Sequence, residues 1–200
     1  MAERSLIADK GYAPGAGAGE ESLNENDLSL LVRAIAFAAT KHKDQRRKDE
    51  AASPYINHPV ALVDLLVHEG GVTDLATLVA AVLHDTIEDT QTTSEEIQAV
   101  FGAVICTIVN EVTDDKALGR SACKQAQIDK APNLSREARA VKLADKICNL
   151  RDVATNPPAG WETERRQAYF DWAKQVIDGL RGHHSLLEDL FDEVYRLRPE

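Results

Sequence analysis

From residue 26 onward, apolar side chains return every three or four positions, and turn-forming residues sit between the runs. Leu28, Leu31, Ile35 and Ala38 fall at helical spacing behind Asn26 and Asp27, which suit a helix start. This predicts a first helix to about residue 41, then a loop through Ala51, Ala52, Ser53 and Pro54. Pro59 falls in the first turn of a second helix, where its missing N–H does no harm. Val60, Val63, Leu66 and Val67 form that helix's apolar face, and Gly70-Gly71 ends it. A third helix is predicted over about 74–88, within the run LVAAVLHDTIEDT. A fourth begins at Thr92 or Thr93, each spaced from Glu95 or Glu96 as in a capping box, so these glutamates read as caps. Ile97, Val100, Val104, Ile105 and Ile108 carry its stripe to about residue 112. The polar segment 113–132, with Gly119 and Pro132, reads as a loop containing a short helix. Ser135 opens a long helix, SREARAVKLADKICNLRDV; TNPPAG then turns the chain, and two amphipathic helices follow. No strand-like alternation occurs, which predicts an all-α domain. Residues 11–22 are rich in Gly, Ala and Glu without period, so the expected division is a flexible tail over 1–24 and one domain over 25–200.

Composition narrows the class. Two hundred residues at 44% apolar content can bury one adequate core. No apolar run reaches the roughly 18 residues of a membrane span, and the N-terminus lacks the basic start and apolar block of a secretory signal. A cytoplasmic protein with no membrane partner is expected. Three cysteines without close pairing read as buried or half-buried thiols. A net charge of −10 argues against a nucleic-acid partner. Yet Lys41, Lys43, Arg46, Arg47 and Lys48 lie close together, opposed only by Asp44. Such a cluster is either a solvated face or a clamp for a small anion.

The chemistry concentrates in LVAAVLHDTIEDT. His84 and Asp85 are adjacent, and Glu88 and Asp89 follow one turn later. On a continuous helix His84 would face Glu88, and Asp85 would face both later acids. Carboxylates crowded against an apolar segment lose hydration and need a cation; a histidine beside an aspartate points to a metal ion. Two partners stand out. His58, in PYINHP, lies where a loop meets the core, although a hydrogen-bonded structural role fits it equally. Asp145 interrupts an apolar side made by Val141, Ala144 and Cys148, although it can equally pair with Lys142 or Lys146. Asn149 lies one turn beyond it. His42, His183 and His184 are expected to be solvated, and His68 has an adequate charged or capping role. Two imidazoles and two carboxylates suit Mn, Fe or Zn, and such an ion with an open position makes water more acidic.

His58, His84-Asp85 and Asp145 resemble the H…HD…D signature of HD-domain metal-dependent phosphohydrolases. This implies an HD-domain helical bundle with a single buried metal site. The likeness is finer than that superfamily. RRKDEAASPYINHP, LVAAVLHDTIEDT, EVTDDK and VKLADKICNLRDV resemble, block after block, the hydrolase domain of RelA/SpoT-type alarmone enzymes. They are most similar to the stand-alone small alarmone hydrolases, metazoan members included, over about residues 25–195. The resemblance implies one Mn2+ on His58, His84, Asp85 and Asp145, with Glu88 and Asp89 orienting and deprotonating the attacking water. Arg47 and Lys48 would approach the substrate phosphates, Asn149 the ribose, and Arg165 and Tyr169 of ERRQAYF would line the nucleotide pocket. Arg120 or Lys124 would add charge from the 113–132 segment. The implied reaction removes the 3′-pyrophosphate of ppGpp or pppGpp, leaving GDP or GTP. No synthetase segment follows residue 200, so hydrolysis alone is expected. Two alternatives stay open: a phosphatase of the same fold cutting NADPH at its 2′-phosphate, and a non-catalytic module that binds alarmone or a partner protein. Competent residues at every metal and acid position speak against the second. No oligomeric state follows from the sequence.

Overall fold

The computed structural model describes residues 25–200, so the expected 1–24 tail lies outside the described residues. Among them are ten α-helices: α1 (Glu25–Lys41), α2 (Asn57–His68), α3 (Leu75–Leu83), α4 (Thr86–Asp89), α5 (Ser94–Phe101), α6 (Ala103–Val112), α7 (Arg120–Lys130), α8 (Arg136–Thr155), α9 (Thr163–Asp178) and α10 (Ser185–Tyr195). A 3₁₀ turn, Ala131–Asn133, joins α7 to α8. No strand occurs among the described residues; one isolated bridge, Arg46 to Pro54, closes the loop between α1 and α2.

Two helices form the interior. α3 is apolar almost throughout, and every side chain from Thr77 to Leu83 is buried, as a helix covered on all sides requires. Asp74 starts it by accepting the Thr77 N–H at 2.8 Å. α1, α2, α6 and α8 pack around it. α8 is the other, started by Ser135, which accepts the Ala138 N–H at 3.2 Å. It touches α2, α3, α6, α9 and α10, and buries Arg139, Lys142, Asp145 and Lys146 along with its apolar residues. Charged groups on a central helix must find partners: Arg139 donates to the Leu134, Pro132 and Gly179 carbonyls, whereas Lys142, Asp145 and Lys146 line the site.

The predicted helix over 74–88 is two helices. α3 ends at Leu83, His84 caps it, and Asp85 takes φ −98° and ψ −1° before α4 begins. Thr86 Oγ1 donates to the Leu83 carbonyl at 2.6 Å and satisfies the interrupted ladder. The break has a geometric use. Neighbours on an unbroken helix cannot face one point, whereas here His84 and Asp85 do. The predicted helix to residue 112 also divides, at Gly102, whose φ of +88° suits glycine alone. Its start is Thr93, which accepts the Glu96 N–H at 3.2 Å. Glu96 itself pairs with Lys41 at 2.7 Å instead of closing the capping box. The 113–132 segment holds a full helix, α7, in place of a short one. The three cysteines are free, Cys106 and Cys148 buried and Cys123 half-buried, in line with expectation. No helix among the described residues is long and apolar enough to cross a membrane.

Candidate metal centre and nucleotide groove

Three helices deliver the expected ligands to one point. His58 comes from the first turn of α2, His84 from the end of α3 and Asp145 from the middle of α8. All three are buried, and their ligand atoms lie within 4.8 Å of one another. His58 Nε2 is 3.3 Å from Asp145 Oδ1, and His84 Nε2 is 4.0 Å from the same oxygen. Asp85 stands just beside this triple, its Oδ2 2.9 Å from His84 Nε2, and it accepts a hydrogen bond from the Tyr55 hydroxyl. Asp145 makes the ion pair and still turns an oxygen toward the histidines. Its Oδ2 pairs with Lys146 at 3.1 Å while its Oδ1 faces His58 and accepts from Asn149 Nδ2 at 2.5 Å. Lys142 turns elsewhere, donating to the Val112 carbonyl at 3.0 Å and lying 3.6 Å from Asp114.

The donor set fits a divalent cation. His84 Nδ1 donates to the Ala81 carbonyl at 2.8 Å, so in the neutral ring Nε2 offers a lone pair to the chamber. That nitrogen is buried without a hydrogen-bond partner, although a carboxylate oxygen stands 2.9 Å away. A lone pair facing a carboxylate is repulsive unless positive charge lies between them. In the metal-free protein a proton supplies that charge: burial opposes charge on His84, but the Asp85 and Asp145 carboxylates outweigh it and hold its pKa up at about 9. Burial works the other way on Asp145, yet Lys146 and the two histidines keep its carboxyl well below the usual range. His58, dominated by burial, is pushed down despite Asp145.

The acid pair splits into unlike environments. Glu88 Oε2 accepts the Asp114 N–H at 3.1 Å. Burial first, then the Asp114 and Asp85 carboxylates, pushes its pKa up to about 7. Asp89 is held from both sides, Oδ1 by Lys116 at 2.5 Å and Oδ2 by the Gln45 amide at 2.9 Å.

A chamber of about 160 Å³ contains His58, His84, Asp85, Glu88 and Asp145. Beside it runs a groove of about 720 Å³, and Arg47, Tyr55, His58, Asp89 and Asn149 line both. Arg47 donates to Asn149 Oδ1 at 3.3 Å and pairs with Asp152. Lys48 and Arg120 stand exposed on the lining. The basic cluster therefore serves two ends, since Lys41 pairs with Glu96, and Lys43 is solvated beside Asp44. Tyr169 forms part of the groove wall between Trp161 and Trp172, with ring centroids 5.5 and 5.3 Å away. Lys124 lies over the Trp172 ring at 4.6 Å. Arg165 does not line the groove. It is exposed, and its guanidinium covers Trp161 at 4.4 Å, so it meets the groove only through that ring.

Two histidine expectations change. His42 is 3% exposed, because the turn closing α1 folds it against Tyr55. His184 is half-buried, its Nε2 3.0 Å from the Arg136 carbonyl oxygen. Sequence reasoning missed Tyr55, Gln45, Asp114 and Lys116 as neighbours of the acids. Tyr55, Asp114 and Lys116 lie inside PYINHP and EVTDDK, blocks whose other residues drew attention. Gln45 carried no signal, being one glutamine in a basic run.

An HD domain family model matches residues 34–171. The guanosine-3′,5′-bis(diphosphate) 3′-pyrophosphohydrolase MESH1 of Xenopus tropicalis is 52% identical over 170 residues, 85% of this chain and 95% of that protein. Its Homo sapiens counterpart is 47% identical over 173 residues, 86% of this chain and 97% of that one. A solved structure of a metazoan ortholog of SpoT, a protein that hydrolyzes ppGpp and plays a role in starvation responses, superposes with TM-score 0.83. It is 43% identical and covers 90% of this chain and 98% of that one. The chain belongs to the HD-domain family, among relatives of the MESH1 type.

Proposed function

We propose that this protein is a metal-dependent guanosine-3′,5′-bis(diphosphate) 3′-pyrophosphohydrolase that converts ppGpp or pppGpp to GDP or GTP and pyrophosphate. The observation that carries the proposal is the buried His58, His84 and Asp145 triple beside a groove lined by Arg47 and Lys48. It occurs in a chain 52% identical to an enzyme bearing that name. The names of these relatives favour the alarmone over NADPH and over a non-catalytic role. We assign one ion to His58, His84, Asp85 and Asp145. The mixed nitrogen and oxygen set suits Mn, Fe or Zn, and Mn2+ is the ion that the resemblance to alarmone hydrolases implies. When bound, the ion supplies positive charge at the scissile phosphate and makes water more acidic.

The remaining work falls to side chains. Glu88, with its pKa near 7, takes the proton of the attacking water. Asp89, held between Gln45 and Lys116, orients that water. The water oxygen bonds the phosphorus attached to O3′, the P–O3′ bond breaks, the ribose oxygen takes a proton and pyrophosphate leaves. Arg47 and Lys48 offset the phosphate charge, and electrostatic stabilisation of this kind is the largest catalytic term. Asn149 stands toward the ribose, and Tyr169 forms the nucleotide wall with Trp161, which Arg165 braces. Residues 25–200 constitute the hydrolase domain in this reading, with 1–24 a tail outside it. A nucleotide substrate and free thiols suit a cytoplasmic enzyme.

The test is product analysis after incubating Mn2+-loaded protein with ppGpp, with Asp85→Ala as control. GDP and pyrophosphate from the wild type alone are expected. Intact protein with bound metal and no turnover, or equal turnover by Asp85→Ala, would overturn the assignment.

A further inference from the structure

The turn that closes α1 carries a buried histidine which the chemistry above does not use. Its Nδ1 meets Gln45 Oε1 at 2.6 Å, and Gln45 Nε2 donates to Asp89 Oδ2 at 2.9 Å. These contacts determine where the proton sits. The Asp89 carboxylate accepts, so the amide nitrogen of Gln45 faces it and the amide oxygen faces His42. That oxygen can only accept, so His42 carries its proton on Nδ1. Its Nε2 is then buried without a partner. The imidazole therefore gives one N–H to Gln45 and leaves the other ring nitrogen stranded, a cost in stability that packing alone does not require. Residues that break a packing rule in this way tend to serve a site.

We propose that His42 and Gln45 are positioning residues for Asp89. His42 sets the Gln45 amide, and Gln45 holds one Asp89 oxygen while Lys116 holds the other. The two tethers differ. The Lys116 side chain is 56% exposed, whereas Gln45 is backed by a ring 3% exposed. That ring packs 4.7 Å, centroid to centroid, from Tyr55, whose hydroxyl donates to Asp85. Two rings packed at a 33° tilt thus steer two acids, one on the metal side and one on the water side. The inference rests on Asp89 being a member of the catalytic pair. A carboxylate free to rotate would still admit substrate but would orient water poorly, so the loss falls on kcat and spares KM.

The experiment measures kcat and KM for ppGpp, metal content and melting temperature in Gln45→Leu, His42→Phe, His42→Asn and Asp89→Asn. Gln45→Leu and His42→Phe are expected to lower kcat by about 10- to 100-fold, with KM within about twofold and metal content unchanged. His42→Asn presents an N–H where Nδ1–H stood, and is expected to recover kcat to within about threefold of wild type. Wild-type kcat in Gln45→Leu would overturn the inference, as would a His42→Asn variant as slow and as unstable as His42→Phe. Failure of the underlying reading looks different. Wild-type kcat in Asp89→Asn removes Asp89 from the catalytic pair and this inference with it. An inactive Asp89→Asn beside a fully active Gln45→Leu rejects the positioning role alone.

Discussion

His84 donates its Nδ1 proton to the carbonyl of Ala81, 2.8 Å away within its own last turn, and so aims Nε2 into the chamber. The helix end thereby sets both the tautomer and the direction of the ring. His84→Phe keeps the ring volume but removes the donor. Loss of an outer partner alone weakens metal binding by about 10–100-fold, and loss of the ligand itself is expected to exceed that. Metal analysis after dialysis checks it; a variant that retains stoichiometric ion would contradict the ligand assignment.

Glu88→Gln separates chemistry from binding. The variant is expected to keep its metal and lose turnover by about 10²–10⁴-fold. It also makes a stability prediction in the metal-free protein. Burial raises the folded pKa of Glu88 from 4.5 to about 7, so the folded state holds the proton more tightly than the unfolded chain. Native stability is therefore lost as pH rises from near 4.5 through 7. Allowing for partial solvent exposure, the loss is about 1–2 kcal/mol. Metal-free Glu88→Gln should melt above metal-free wild type at pH 8 by about 2–8 °C, with the gain vanishing toward pH 5. Identical melting curves at pH 8 would show that burial does not act on this carboxylate.

Arg47 faces the groove while pairing with Asp152, whose side chain is 53% exposed. Removing the guanidinium leaves Asp152 solvated, so the stability cost is about 0–1 kcal/mol. Arg47→Gln is expected to raise KM for ppGpp about tenfold with kcat little changed, and to flatten the dependence of KM on salt. An unchanged KM would place Arg47 in the fold and outside the clamp.

Gly102 tests the break between α5 and α6. A Cβ there meets nothing within 4 Å, so the cost of Gly102→Ala lies in the backbone, at φ +88°. With ψ at 167° the residue sits in a region essentially reserved for glycine, which costs about 1–3 kcal/mol for an alanine, and activity should persist. Phe170→Ala, at a side chain 0% exposed, should cost about 3–5 kcal/mol through cavity formation. Chemical denaturation distinguishes the two; equal losses would mean that the α5–α6 joint carries packing strain as well.

The amino-acid order by itself determined the all-α class and the approximate span of most helices, and it marked His84, Asp85, His58 and Asp145 as candidates for one metal site. Helical periodicity is a local property, written in residues three and four apart, so Leu28 to Ala38 or Val60 to Val67 could be read directly. His84 and Asp145 were legible because they break apolar segments with groups that burial penalises, whereas His58 showed only as a loop–core junction and joined the set through the H…HD…D resemblance. Tertiary structure decided the rest. A local pattern cannot register the kink at Asp85, since LVAAVLHDTIEDT is as periodic across the break as before it. Nor can it register Gln45 reaching Asp89, 44 positions away, or Arg47 reaching Asp152, 105 positions away. It also cannot show that Arg165 stops on the ring of Trp161 short of the groove, or that His42 is folded inward. Such contacts arise because folding brings the turn after α1 against α4 and α8 from distant parts of the chain, and only packing selects those neighbours.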